Sequence, residues 1–160
     1  MEGDFIAGQK NQEWKSFYQN GQVKGEGKFD NGNGTFREYY PDGTLQKVTD
    51  YKNGNIEGKV AVYNPDGTLL QRANYHEGLL SDSLILYFPN GELKSISFFV
   101  KGEPDRFLLE YYDNGQLKRD ARYQDKKQHG PTISYFENGK TRTEENYIEG
   151  VLSGNYKTYH

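Results

Sequence analysis

The sequence contains no cysteine, which excludes disulfides, thiolate metal sites and cysteine nucleophiles. It also lacks any apolar run approaching the roughly 20 residues that a membrane-spanning helix needs. Its first residues, MEGDFIAG, show no basic segment followed by an apolar stretch and do not read as a secretory leader. A cytoplasmic location is expected if residue 1 is the native start, and an exported or lipid-anchored one if a leader has been removed. Charge of a single sign is missing too. With a formal net charge of −3 and acids and bases interspersed, the chain offers no broad footprint for nucleic acid. The one basic-leaning stretch, Leu117–His129, is interrupted by Asp120 and Asp125 and reads as a solvated strand and loop.

Aliphatic residues are scarce as well. The hydrophobic class makes up 33% of the chain and aromatics 15%, so nearly half of the apolar stock is Tyr, Phe and Trp. Low hydropathy is compatible with disorder, but disordered chains are poor in aromatics. Here 14 Tyr and 9 Phe recur at regular intervals among 19 Gly, and the chain reads as folded.

Those intervals define a repeat. One turn signal appears as FYQNGQV, YYPDGTL, YNPDGTL, YFPNGEL, YYDNGQL and YFENGKT, with turn glycines at Gly21, Gly43, Gly67, Gly91, Gly115 and Gly139. The first spacing is 22 residues and the others are 24. A second signal alternates with it, an aromatic three residues before a glycine: Phe5 and Gly8, Phe29 and Gly32, Tyr51 and Gly54, Tyr75 and Gly78, Phe99 and Gly102, Tyr147 and Gly150. Tyr123 keeps the register, but Lys126 stands where the glycine belongs and Gly130 is the next one along, so an irregular turn, either distorted or longer, is expected near 124–130. Asn-Gly and Asp-Gly between alternating aromatic segments signal β-hairpins, because these residues tolerate the positive φ of primed turns. Each repeat is therefore two strands and two turns. Helix competes poorly, since Gly or Pro interrupts the chain about every ten residues and no apolar stripe of period 3.6 survives.

Within the repeat, aromatics stand four residues before the first-turn glycine (Phe17, Tyr39, Tyr63, Tyr87, Tyr111, Tyr135) and small residues are common six after it (Gly27, Thr49, Ala73, Ser97, Ala121). The aromatics Phe29, Tyr51, Tyr75, Phe99, Tyr123 and Tyr147 follow two positions later. Equivalent positions are expected to stack into cross-strand ladders that support a thin sheet.

The pattern Tyr-Tyr-x-Asn-Gly-x-Leu, then aromatic-x-x-Gly, then Gly-x-x-x-Gly as in Gly54–Gly58 and Gly150–Gly154 resembles the MORN repeat. It is most similar to the variant form found in bacterial proteins described as antitoxins of toxin/antitoxin systems. The resemblance runs from Phe5 to His160, with departures at Lys126, Thr141 and Glu145. It implies an all-β fold, an elongated single-layer twisted antiparallel sheet of tandem hairpins. One domain of about six repeats over 1–160 follows, and it implies association with protein or lipid rather than chemistry.

No catalytic, cofactor-binding or metal-ligating set is expected from the residues either. His76, His129 and His160 are far apart and lack a metal-ligand spacing. Glu144 and Glu145 are adjacent on a strand and so point to opposite faces. Turn acids such as Asp42, Asp66 and Asp113 are explained by hydrogen bonding to the turn backbone. Gly25-Glu-Gly27 is a strand pair of glycines rather than a nucleotide fingerprint.

Function is sought where one copy departs from the others. Six residues before the first-turn glycine the series runs Lys15, Arg37, Ala61, Ile85, Leu109, Ile133, charged early and apolar late. Ile96 and Phe98 stand where other copies have Val48 and Asp50, or Asp120 and Arg122. A single-layer sheet does not bury two apolar faces by itself, and a second apolar face marks a partner surface. Ile85, Leu86, Ile96, Phe98, Leu109 and Ile133 are the candidate contact residues. Either the middle repeats curl over and cover these residues, or a protein partner or second copy does; a lipid surface is the third possibility. The expected function is a non-catalytic binding protein, the neutralising or immunity partner of a bacterial toxin. The alternative is a structural or membrane-associated scaffold that self-assembles or binds lipid, and the end strands near Phe5 and Tyr156 would be free to pair.

Overall fold

A computed structural model describes residues 2–6, 8–154 and 156–160. Ala7, inside the turn expected between Phe5 and Gly8, lies outside the described residues, as do Met1 and Asn155. The chain divides into two compact units, Met1–Leu79 and Leu80–His160. The first contains β1 (Glu2–Ile6), β2 (Gln9–Phe17), β3 (Val23–Asp30), β4 (Asn33–Tyr39), β5 (Leu45–Lys52), β6 (Asn55–Tyr63) and β7 (Leu69–His76). From the boundary onward follow β8 (Leu79–Tyr87), β9 (Leu93–Val100), β10 (Glu103–Tyr111), β11 (Leu117–Gln124), β12 (Lys127–Tyr135), β13 (Thr141–Ile148), β14 (Val151–Leu152) and β15 (Lys157–Thr158). No helix occurs among the described residues. In each unit, strands pair antiparallel in chain order, and β15 returns to pair with β13.

The two turn signals fold differently. At the first, Tyr40 N–H donates to the Thr44 carbonyl at 2.8 Å and Gly43 N–H to the Tyr40 carbonyl at 2.9 Å. Only the glycine of the Asp42-Gly43 pair turns left-handed, with φ +87°, while the Asp42 carboxylate accepts the Thr44 N–H at 2.8 Å. Asn20, Asp66, Asn90, Asn114 and Asn138 repeat that bond. Asn-Gly and Asp-Gly are here because the side chain fastens the turn, not because two positive φ angles are needed. In the YYDNGQL copy it is Asn114, and not Asp113, that does so. Primed geometry belongs to the second signal, where Asn31 and Gly32, or Asn53 and Gly54, are both left-handed.

The unusual turn is of ordinary length. β11 and β12 close through Asp125 and Lys126 with Gln124 opposite Lys127, the same two-residue turn as elsewhere, and Lys126 itself adopts φ +71°. Of the two alternatives expected from the missing glycine, the longer turn is not formed, because backbone pairing on both sides fixes its length; the irregularity is confined to Lys126, which accepts the strain of a left-handed backbone. Gly130 has another job. It is the fourth residue of its strand, where Gly58, and also Gln12, Asp82 and Arg106, take positive φ; Gly154 also has positive φ but lies beyond the short β14. In β2, β6, β10 and β12 the register skips at this point, as between Thr49/Tyr51 and their partners Val60/Ile56, which leaves residues 57–59 opposite Asp50. This bulge explains the second glycine of Gly54–Gly58. β4 has no register shift against β3 and is two residues shorter than β6, which accounts for the single 22-residue spacing. Departures at Thr141 and Glu145 leave the pairing intact: Tyr135 faces Thr141 and Thr132 faces Glu145.

Packing in the first unit centres on Trp14 and Phe29, each 3% exposed, with Phe36 and Tyr51 against them. Equivalent aromatics lie two strands apart, so most of the expected ring ladder does not close. Phe29 and Tyr51 do meet, at 5.7 Å between centroids, because Gly34 on β4 stands between them in register. Elsewhere a different ladder links repeats: the hydroxyls of Tyr18, Tyr40 and Tyr112 donate to the carbonyls of Tyr39, Tyr63 and Tyr135 at 2.6–2.9 Å.

Candidate functional site

Strand register in the second unit sorts its side chains onto two faces. One row runs Leu84, Ser97, Leu108, Ala121, Thr132 and Glu145 across consecutive strands. Its centre is sealed, with Ala121 at 0% and Thr132 at 2% exposure. The adjacent residues form a second row on the opposite face: Ile85, Ile96, Leu109, Asp120, Ile133 and Glu144. Every member of this row is half-buried. In the first unit the equivalent row reads Lys15, Glu26, Arg37, Val48, Ala61 and Arg72. An alternating charged row has become an aliphatic one.

Five of the six residues picked out in the sequence come together. Phe98 shares the face of Ile96 and lies 6.2 Å from the ring of Phe107. Leu86 does not join them. It pairs with Ser95 two positions from Leu84, on the sealed face, since alternation sends it away from Ile85. Two residues were missed. Arg106, placed by its bulge, lays its guanidinium 4.1 Å from the Phe98 centroid, a contact contributing about 0.5–1 kcal/mol. Its signal in the sequence is alignment with Gly58 and Gly130. Asp120 is the other. It stands between Leu109 and Ile133, accepts an Arg122 guanidinium N–H on Oδ2 at 2.7 Å, and holds Oδ1 out of water without a hydrogen-bond partner. Glu144, beyond Ile133, pairs with Lys157 at 3.2 Å.

Titratable groups elsewhere do not converge. His76 Nδ1, at the end of β7, and the Glu57 carboxylate, near the start of β6, lie 2.9 Å apart, and the second oxygen of Glu57 accepts the Glu77 N–H at 2.7 Å. This contact raises the imidazole above its ordinary value, and the Glu77 N–H followed by His76 lowers the Glu57 carboxyl. Glu144 and Glu145 face opposite sides, through Ile133 and Thr132 respectively. Among the described residues, no three His, Asp or Glu side chains gather as metal ligands. The face can exclude water and present one carboxylate oxygen; it does not bring an acid and a base onto one atom.

Comparison with known proteins agrees with the repeat. The family model described as MORN repeat variant matches residues 13–31, 33–53, 56–77, 108–125 and 128–149, more than half of the chain. The stretch between the third and fourth matches holds Ile85, Ile96 and Phe98. No curated protein matches the chain.

Proposed function

The chain belongs to the MORN repeat variant family, a non-catalytic module of protein and membrane association, and from that premise we propose that it is a protein-binding repeat protein whose contact surface is the aliphatic row of the second unit. One observation carries this: Ile85, Ile96, Leu109 and Ile133 line up across strands where the first unit has Lys15, Glu26, Arg37 and Ala61. Completing the burial of four half-covered aliphatic side chains contributes roughly 1 kcal/mol apiece, and the rings of Phe98 and Phe107 extend the surface. The partner class proposed is a toxin polypeptide, masked sterically and not chemically. What supports that choice is the similarity of the repeat to the form found in bacterial antitoxins.

Affinity purification with the wild-type chain and a folded Ile85→Glu/Leu109→Glu variant tests the proposal. A polypeptide that is recovered with the wild type and lost from the variant supports it. Equal recovery with both, or flotation of the wild type with protein-free vesicles that the variant retains, contradicts it.

A further inference from the structure

Lys10 holds its ammonium against four aromatic rings at once. Nζ lies 5.3 Å from the Trp14 ring centroid, 5.3 Å from Phe29, 4.7 Å from Phe36 and 5.4 Å from Tyr51. The rings come from four successive strands, β2 to β5. Glycine makes room for them: a Cβ on Gly27 would stand 2.9 Å from the Phe36 ring and 3.0 Å from that of Phe29. These π faces are the partners of Nζ among the described residues. A cleft bordered by Phe5, Gln9, Lys10, Phe29 and Tyr51 shares Lys10 and two of the four rings with this cluster.

The chemistry of this cage is mismatched to its occupant. An alkylammonium carries three N–H donors that need acceptors, and ring faces satisfy its charge far better than its donors. Burial accordingly lowers the Lys10 ammonium from its ordinary value, partly offset by the charge of the Glu38 carboxylate. Methyl groups in place of the N–H bonds keep the charge and remove the unmet donors, and aromatic cages are the known solution for such cations.

We infer that Trp14, Phe29, Phe36 and Tyr51 form a recognition site for methylated ammonium groups, in which Lys10 is a displaceable resident. When such a group enters through the cleft, the flexible Lys10 stem returns its strongly hydrated head to water. One cation leaves as another arrives, so the charge in the cage is unchanged. The site lies in the first unit and does not depend on the contact row of the second.

Trp14 is the only tryptophan, so its fluorescence reports on the cage directly. Choline is titrated into the full-length wild type and into Lys10→Ala, with 3,3-dimethylbutan-1-ol as the uncharged isostere. The expected result is a saturable change with choline alone. It should be tighter by at least about tenfold in Lys10→Ala, because a tethered competitor acts at an effective concentration of order mM. Phe36→Leu should weaken it. If Lys10→Ala fails to fold, the ring-shifted Lys10 Hε resonances of the wild type serve instead, and choline should return them toward their solvent-exposed positions. A folded Lys10→Ala chain without a choline response, an equal response to the uncharged alcohol, or unmoved Hε resonances would overturn the assignment.

Discussion

Leu109 and Asp120 stand directly opposite each other on β10 and β11, so a carboxylate interrupts the aliphatic row that runs on to Ile133. Its Oδ1 atom is shut off from solvent and has no hydrogen-bond partner in the protein, while Arg122 holds Oδ2 at 2.7 Å with nearly half of its own side chain exposed. Desolvation without full compensation costs about 1–3 kcal/mol. Asp120→Leu is therefore expected to raise the urea midpoint, with a gain in unfolding free energy of about 1 kcal/mol after loss of the Arg122 contact. A fall in the midpoint would show that the ion pair outweighs the orphaned oxygen.

Lys126 is the one non-glycine residue in the second position of its turn, at φ +71°. A left-handed L-residue costs roughly 1–2 kcal/mol, and the exposed contact between Lys126 and Glu103 at 3.7 Å recovers at most a few tenths. Lys126→Gly should stabilise the chain by about 1 kcal/mol, and Lys126→Val should destabilise it. Thermal unfolding of the two variants checks both directions.

How much of this was legible beforehand depends on the residue. The hairpin repeat could be read from glycine spacing because a turn is a local event, fixed by a few consecutive residues. Gly130 was misread for the opposite reason: its role as a bulge depends on register with β11, which spacing alone does not encode. Ile85, Ile96, Leu109 and Ile133 were found by comparing copies. Leu86 was drawn in with them by hydropathy, and strand alternation places it on the other face. Asp120 and Arg106 went unnoticed because charge in a strand reads as solvated unless its cross-strand neighbours are known. Lys10 carried no signal at all, since four strands must assemble before its surroundings exist.

Gly34 lies in register between Phe29 and Tyr51, and a Cβ there would run into the Lys28 carbonyl oxygen and come within 3.0 Å of the Phe29 ring. Backbone on a paired strand does not yield easily. Gly34→Ala is expected to destabilise by about 2–3 kcal/mol, at the upper end for single substitutions, with a shift in Trp14 emission as the core loosens. An unchanged midpoint would mean that β4 moves freely.

The Glu57 and His76 contact gives a signed pH dependence. His76 is raised in the folded state, so its contribution is complete below the ordinary imidazole value and fades as pH climbs through the raised one. Glu57 is lowered, so its contribution is present above the ordinary carboxyl value and fades as pH falls through the lowered one. Proton NMR should show His76 titrating above 6.5, and Glu57→Gln should bring it down; because both groups are solvent-exposed, global stability should change little.

The central claim is that the row of Ile85, Ile96, Leu109 and Ile133 is a surface kept for a partner and not a core. The most direct measurement is the unfolding free energy of Ile85→Glu/Leu109→Glu beside that of Ala121→Glu, which places a charge on the sealed face. The account predicts that the double variant stays within about 1 kcal/mol of wild type, as surface changes do, while Ala121→Glu loses more than about 4 kcal/mol or does not fold. A double variant that unfolds as Ala121→Glu does would contradict it.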